Sequence, residues 1–203
     1  MRKLLAIALV AAMGFNAEAG KSETLTLGAE APATDLEMKG TDGKMYTLDS
    51  VQGEKGTLVI FSCNSCPWAV KWESRVASIG NAYRGKGFGV IVINPNDPRR
   101  AAEDGFDEMV TRAKALSYEF PYVVDSASQV ARAFGASRTP EVFLFNAKGK
   151  LAYHGAIDDN ASDANAVEAA YLKDALDALL AGETISVSET KALGCSIKFN
   201  EDS

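Results

Sequence analysis

Apolar residues fall in two kinds of run along this chain. Residues 57–62 (TLVIFS) and 88–93 (FGVIVI) are continuous and rich in β-branched residues, the pattern of strands buried on both faces. Shorter strands are predicted at 122–124 (YVV), 141–145 (EVFLF) and 150–153, the last two joined through a Lys148–Gly149 turn into an antiparallel hairpin. Residues 35–48 read as an N-terminal β-hairpin, with DLEM and MYTL on either side of an Asp42–Gly43 turn. Between these runs, apolar residues recur every three or four positions. Trp68, Trp72, Val76, Ile79 and Tyr83 line one face of a helix that starts at Pro67 and ends at Gly85. Proline suits a first turn because it has no N–H to leave unpaired there. Phe106, Met109, Val110, Ala113 and Leu116 face inward on a helix over 99–117, and 126–134 is a short helix stopped by Gly135. Val167, Tyr171, Leu172, Leu176, Leu179 and Leu180 line a last helix, from 162 or 163 to Gly182.

Strands alternating with helices imply a parallel sheet covered on both faces, and the closing hairpin adds antiparallel strands. The fold class is therefore α/β, with a mixed central sheet and helices on both faces. The 203 residues suit one domain with a full core. Residues 20–34 form a polar lead-in, 35–182 the domain, and 183–203 a less regular tail. Ahead of these, Arg2 and Lys3 precede an apolar stretch at 4–13, and Ala17-Glu18-Ala19 has the small-x-small pattern of a signal-peptidase site. Residues 1–19 read as a signal peptide cut near Ala19, which makes the mature protein periplasmic or secreted. No stretch is long enough to span a bilayer. The formal net charge is −6 with no basic block or stripe, so neither nucleic acid nor an anionic membrane is an expected partner.

The candidate chemistry lies at Cys63-Asn64-Ser65-Cys66, where a buried strand hands over to a helix. Free N–H groups and the helix dipole at that end stabilise a thiolate and make it a nucleophile near neutral pH. Cys63, at the outer end, is expected to be the more exposed, attacking sulfur, and Cys66 to resolve the mixed disulfide. Two other uses of the pair stay open. A structural disulfide closing so short a loop removes little unfolded-state entropy. A structural zinc site takes a tetrahedral ligand set, and three cysteines and one histidine, His154, would all have to converge. Cys195 leaves an odd thiol in a chain expected to meet oxidising conditions. It is either a third redox cysteine that reloads or protects the pair, or a buried lone thiol.

Arg138-Thr139-Pro140 directly precedes the strand at 141–145. Proline cannot donate to a sheet ladder, so it marks a strand start; a cis-proline beside a Cys-x-x-Cys turns the neighbouring backbone into a template for an extended partner peptide. Thr139 and Pro140 are therefore candidate docking residues. The segments FSCNSCPW, RTPEVFLFNAKGKLAYHGAIDDN and GCSIKF resemble the thioredoxin superfamily and, within it, the redoxin and peroxiredoxin-like (AhpC/TSA) branch, from about residue 28 onward. The resemblance implies a thioredoxin-like fold and thiol–disulfide exchange with partner-protein thiols and disulfides, without an organic cofactor. It places Cys63 as nucleophile, Cys66 as its partner and Pro140 as the cis-proline. The chain also departs from the pattern. Asn64-Ser65 stands where thioredoxins carry Gly-Pro, and TLVIFS lacks the buried aspartate that assists their proton transfer. Glu141 is the nearest candidate substitute and Glu73 another. Neither cysteine carries the upstream Pro-x-x-x-Thr-x-x of peroxiredoxins, although Arg138 remains available as a local cation.

Other motifs add little. His154, before Gly155, reads as a surface or hydrogen-bonded residue. The loop from Asp158 to Asp163 lacks the EF-hand glycine and closing glutamate and reads as a solvated loop and helix cap. Gly85-x-Gly87-x-Gly89 precedes a strand instead of following one, so it is no dinucleotide fingerprint. The sequence points to an exported thiol–disulfide oxidoreductase. Its rivals are a thiol peroxidase of similar fold, an envelope copper or zinc carrier using the cysteines with His154 or Cys195, and a binding domain with a vestigial pair.

Overall fold

The computed structural model describes residues 23–202, so the signal-peptide segment lies outside the described residues. Strands β1 (Met38–Gly40) and β2 (Met45–Tyr46) form the N-terminal hairpin. Strand β3 (Gly56–Phe61) is buried at every position and runs parallel to β4 (Phe88–Asn94), which pairs in parallel with β5 (Tyr122–Val124). Beyond β6 (Arg138–Thr139), β7 (Glu141–Asn146) runs antiparallel to β3 and to β8 (Leu151–Gly155). The resulting sheet is mixed, in the order β2-β1-β5-β4-β3-β7-β8. Helices α1 (Pro67–Arg84), α2 (Phe106–Ala115) and α4 (Tyr171–Ala181) pack on one face, and α3 (Gln129–Phe134) on the other. The two-residue period of β3 sorts the core between the faces. Leu58 and Ile60 join Trp72, Val76, Met109 and Leu176, whereas Val59 and Phe61 join Val130 and Phe134. This is the α/β class expected from the apolar pattern.

Two helices are shorter than that pattern predicts. Helix α2 starts at Phe106, not 99. Pro98 disfavours helix in the residue before it, and Ala101 and Gly105 are extended on either side of a single 3-10 turn, Ala102–Asp104. Val110, expected inside, is exposed. Helix α4 starts at Tyr171. Asp163 caps a separate 3-10 turn, Ala164–Ala166, by accepting from the Asn165 N–H at 2.9 Å, and the chain is then extended at Val167. The 158–163 loop is less solvated than expected. Asp158 is buried, accepts from Trp72 Nε1 at 2.7 Å and pairs with Arg75, tying the loop to α1. Trp68, expected on the inner face of α1, is 39% exposed and stacks on Trp72.

The tail is firmly placed. Strand β9 (Cys195–Ser196) pairs antiparallel with β6, aligning Thr139 with Cys195 and Arg138 with Ser196. Further along, Lys198 accepts from the Asp97 N–H at 2.8 Å and donates its own N–H to Asn96 Oδ1 at 2.8 Å. Ile197 and Phe199 pack into the core on the α3 side. Among the described residues no helix is long and apolar enough to cross a membrane.

Candidate active site

Strand β3 ends just before Cys63, and α1 begins just after Cys66. Cys66 is the N-cap residue: its backbone is extended, Pro67 occupies the first helical position, and its carbonyl accepts from the Val70 N–H at 3.0 Å. The two residues between the cysteines are held from below by Asp104, which is 1% exposed. Its carboxylate accepts from the Asn64 N–H at 2.7 Å, the Ser65 N–H at 3.1 Å and the Ser65 hydroxyl at 2.6 Å. Asn96 Nδ2 donates to the same carboxylate at 2.9 Å. Asn64 also donates to the Glu103 carbonyl at 2.8 Å and accepts from the Tyr122 hydroxyl at 2.9 Å. Asn-Ser thus replaces Gly-Pro here because both side chains belong to a buried polar network, whose members are costly to leave unpaired.

The peptide bond between Thr139 and Pro140 is cis, as expected, and Thr139 is fully buried. Its hydroxyl oxygen lies 3.1 Å from Cys63 Sγ, and its carbonyl lies 3.0 Å from Cys66 Sγ. The other edge of Thr139 is not open to a partner peptide in this structure. The chain's own β9 covers it, with Gly194 passing so close that an added Cβ would sit 2.3 Å from the Thr139 carbonyl oxygen. The Cys195 N–H reaches Cys66 Sγ at 3.4 Å. Cys63, Cys66 and Ala69 form a small buried cluster against which Cys195 packs.

The tail also changes which sulfur is exposed and which is ionised. Cys63 is 5% exposed and Cys66 2%, so the expected solvent-facing Cys63 is absent. Cys66 is held down to about 4, first by the hydrogen bond from the Cys63 thiol, with the Cys195 thiol and the N–H groups of Ala69 and Cys195 helping and burial opposing. Its contact with the Thr139 carbonyl works the other way, because a thiol satisfies it and a thiolate does not. Cys63 is pushed far up by its hydrogen bond to Cys66, by burial and by the Asp104 charge. Cys195 is pushed up to about 11 by burial and by Cys66, against the pull of Lys198. The arrangement is one thiolate flanked by two thiols, and the thiolate sits at the N-cap, where the helix dipole acts most strongly. That reverses the expected order, in which Cys63 ionised first.

The remaining candidates are distributed unevenly. Arg138 is exposed and donates to the Gly194 carbonyl at 3.0 Å, so it holds the tail. Glu141 is buried beneath the turn before Pro140. One of its carboxylate oxygens accepts from the N–H groups of Ser137 and Arg138 at 2.8 and 2.9 Å, and the other lies 2.9 Å from His154 Nε2. None of these bonds reaches a sulfur. Glu73 pairs with Arg112. Among the described residues no group of three or more histidine, cysteine, aspartate and glutamate side chains is arranged to hold a metal ion. Sequence reasoning missed Asp104, Asn96 and Lys198. Lys198 Nζ lies 3.2 Å from Ser65 Oγ. Asp104 sits in a run that reads as helix, and nothing local marks it as a partner of the cysteine loop.

Fold and site together define a thioredoxin-like domain with a dithiol at the mouth of its first helix. The solution structure of a thioredoxin-like protein in the oxidized form shares this fold at 19% identity and TM-score 0.60, over 77% of this chain and 97% of that one. A family model described as AhpC/TSA matches residues 28–154, more than half of the 203, and the chain belongs to that family. The crystal structure of a hypothetical protein, SMc02350, from Sinorhizobium meliloti 1021 matches at 32% identity and TM-score 0.81, over 89% of this chain and 98% of that one. The thiol-disulfide oxidoreductase ResA of Bacillus subtilis (strain 168) is 27% identical over 154 residues, covering 74% of this chain and 80% of that relative.

Proposed function

We propose that this chain is an exported thiol–disulfide oxidoreductase of the cell envelope, exchanging disulfides with partner proteins through Cys63 and Cys66. One observation carries the reading: two cysteine sulfurs meet at the N-terminus of α1, against the backbone preceding a cis-proline, and one of them is stabilised as a thiolate. The name of the ResA relative supports the reaction type, and the signal-peptide pattern of residues 1–19 supports export. In the reducing direction, a thiolate of the pair attacks a partner disulfide and one partner sulfur leaves as thiolate. The second cysteine then attacks the mixed disulfide, its proton passes to the released partner sulfur, and the pair is left oxidised. The oxidising direction is the same path reversed. Thr139 and Glu141 position the site: the first touches both sulfurs, and the second holds the turn that presents Thr139.

The test is reduction of insulin disulfides by the reduced chain, compared with Cys63→Ser and Cys66→Ser. Cys66→Ser abolishes turnover and Cys63→Ser slows it, and retained turnover in the first or an unchanged rate in the second refutes the reading. A thiol peroxidase gains one favourable contact, the Thr139 hydroxyl at Cys63. Arg138, the cation the sequence offered for that role, is turned instead to the Gly194 carbonyl.

A further inference from the structure

We propose that Cys195 is a third catalytic thiol, exchanging with Cys66 so that a Cys66–Cys195 disulfide stands between the Cys63–Cys66 pair and the partner protein. This rests on the exchange reading above and adds a residue to it. Four observations support it. Cys66 is the sulfur the other two share: it clusters with Cys63, Cys195 packs against that cluster, and the Cys195 N–H reaches Cys66 Sγ at 3.4 Å. The register aligns Cys195 with Thr139, the position at which an extended partner peptide would pair, so the tail stands where a partner cysteine would come. The tail is fixed there, by Arg138 on the Gly194 carbonyl and by the backbone bonds of Lys198. Finally, Cys63 and Cys66 are buried while Cys195 is only half-buried, so of the three sulfurs it is the one that solvent meets most readily.

The step balances without an outside reagent. Starting from the oxidised pair, the Cys195 sulfur loses its proton and attacks Cys66 Sγ. A Cys66–Cys195 bond forms as the Cys63–Cys66 bond breaks, and the departing electron pair stays on Cys63, which takes up a proton. A partner thiolate then attacks Cys195 Sγ and frees Cys66 as a thiolate. A second partner thiolate resolves that mixed disulfide, releasing Cys195 and leaving the partner oxidised and this chain reduced. Run backwards, the same steps reduce a partner disulfide.

The experiment treats the reduced full chain with oxidised glutathione and reads the products by mass and by mapping cross-linked peptides. In Cys63→Ser, the relay gives a chain two hydrogens lighter than its reduced form, with the Cys66 and Cys195 peptides joined. Accumulation of Cys66 bearing glutathione, with Cys195 free, overturns the relay. Cys195→Ser tests the rate in the direction in which Cys195 is activated: replacing an intramolecular exchange by a bimolecular one slows oxidation of a dithiol peptide by the disulfide form about tenfold, and an unchanged rate counts equally against the proposal. The unmutated chain separates the two ideas. If it forms the Cys63–Cys66 disulfide and reduces insulin while Cys63→Ser gives no Cys66–Cys195 link, the exchange reading stands and the relay falls. If it forms no disulfide at Cys66, with either Cys63 or Cys195, both fall.

Discussion

Asp104→Asn removes the charge beneath the cysteine loop while keeping the side chain's size. The carboxylate accepts four hydrogen bonds: from the N–H groups of Asn64 and Ser65, the Ser65 hydroxyl and Asn96 Nδ2. The single oxygen of asparagine can keep the two backbone donors. Its amide nitrogen then faces the Ser65 hydroxyl, which can rotate to accept, and Asn96 Nδ2, which cannot. One buried donor is left unpaired, and two charge-assisted bonds become neutral ones. Together these cost about 2–3 kcal/mol of stability. The electrostatic effect runs in the opposite sense for the site, because the Asp104 charge holds the Cys63 thiol up. Without it, Cys63 ionises at lower pH, while the resting thiolate stays on Cys66. Urea unfolding measures the first effect. Alkylation of Cys63 as a function of pH, followed by peptide mass, measures the second. A Cys63 profile that stays in place or moves upward, while stability falls as expected, refutes the electrostatic argument and leaves Asp104 as a structural clamp only.

Three further outcomes follow from specific contacts. Cys66 is held well below the ordinary thiol range in the folded reduced chain by its neighbouring thiols and N–H groups, against about 8.5 when unfolded. Between these limits the unfolded state binds more protons, so the stabilisation present above the unfolded value is lost as pH falls toward the folded one. The reduced chain should melt at lower temperature near about pH 5 than near about pH 8, and Cys66→Ser should flatten that difference. Arg75→Met strands Asp158, whose side chain is 6% exposed, and should cost about 3 kcal/mol in denaturant unfolding. A loss well under 1 kcal/mol there counts against the pairing, since that is about the value of a solvent-screened one. In Gly194→Ala the new methyl collides with the Thr139 carbonyl, so β9 should lift and Cys195 should alkylate faster; an unchanged rate means the tail is held by other contacts.

The parts of the fold that were legible in the sequence depend on neighbours along the chain. The continuous apolar runs of β3 and β4 and the three-and-four spacing of α1 each report a periodicity that burial enforces locally. Pro67 and the Thr139–Pro140 pair mark where an element must start, because a missing N–H constrains the backbone whatever surrounds it. The site's electrostatics depend on residues far away in sequence. Asp104 reaches back across a helix and a strand to Asn64 and Ser65, and Cys195 arrives from the far end of the chain. Placing Cys63 outermost and exposed was sound for a bare strand–helix junction. The junction is not bare, because β9 pairs with Thr139 and closes it. The overlong α2 and α4 fail for a related reason: Asp104 and Asp163 fell within the spans read as helix, yet their side chains hold the cysteine loop and cap a separate turn.

Closure by the tail gives the three sulfurs a built-in order. In the reduced chain the Cys66 thiolate holds the Cys195 proton in place, through a hydrogen bond and through its charge. Joining Cys66 to Cys63 in a disulfide removes that negative charge, while the Lys198 cation that pulls the Cys195 thiol downward stays where it was. Cys195 therefore becomes easier to ionise at the moment a disulfide appears beside it, and harder to ionise once that disulfide is gone. A thiol so arranged is nucleophilic when it has something to attack and protected when it has not. A half-buried cysteine can then be kept next to a reactive pair without being consumed by side reactions.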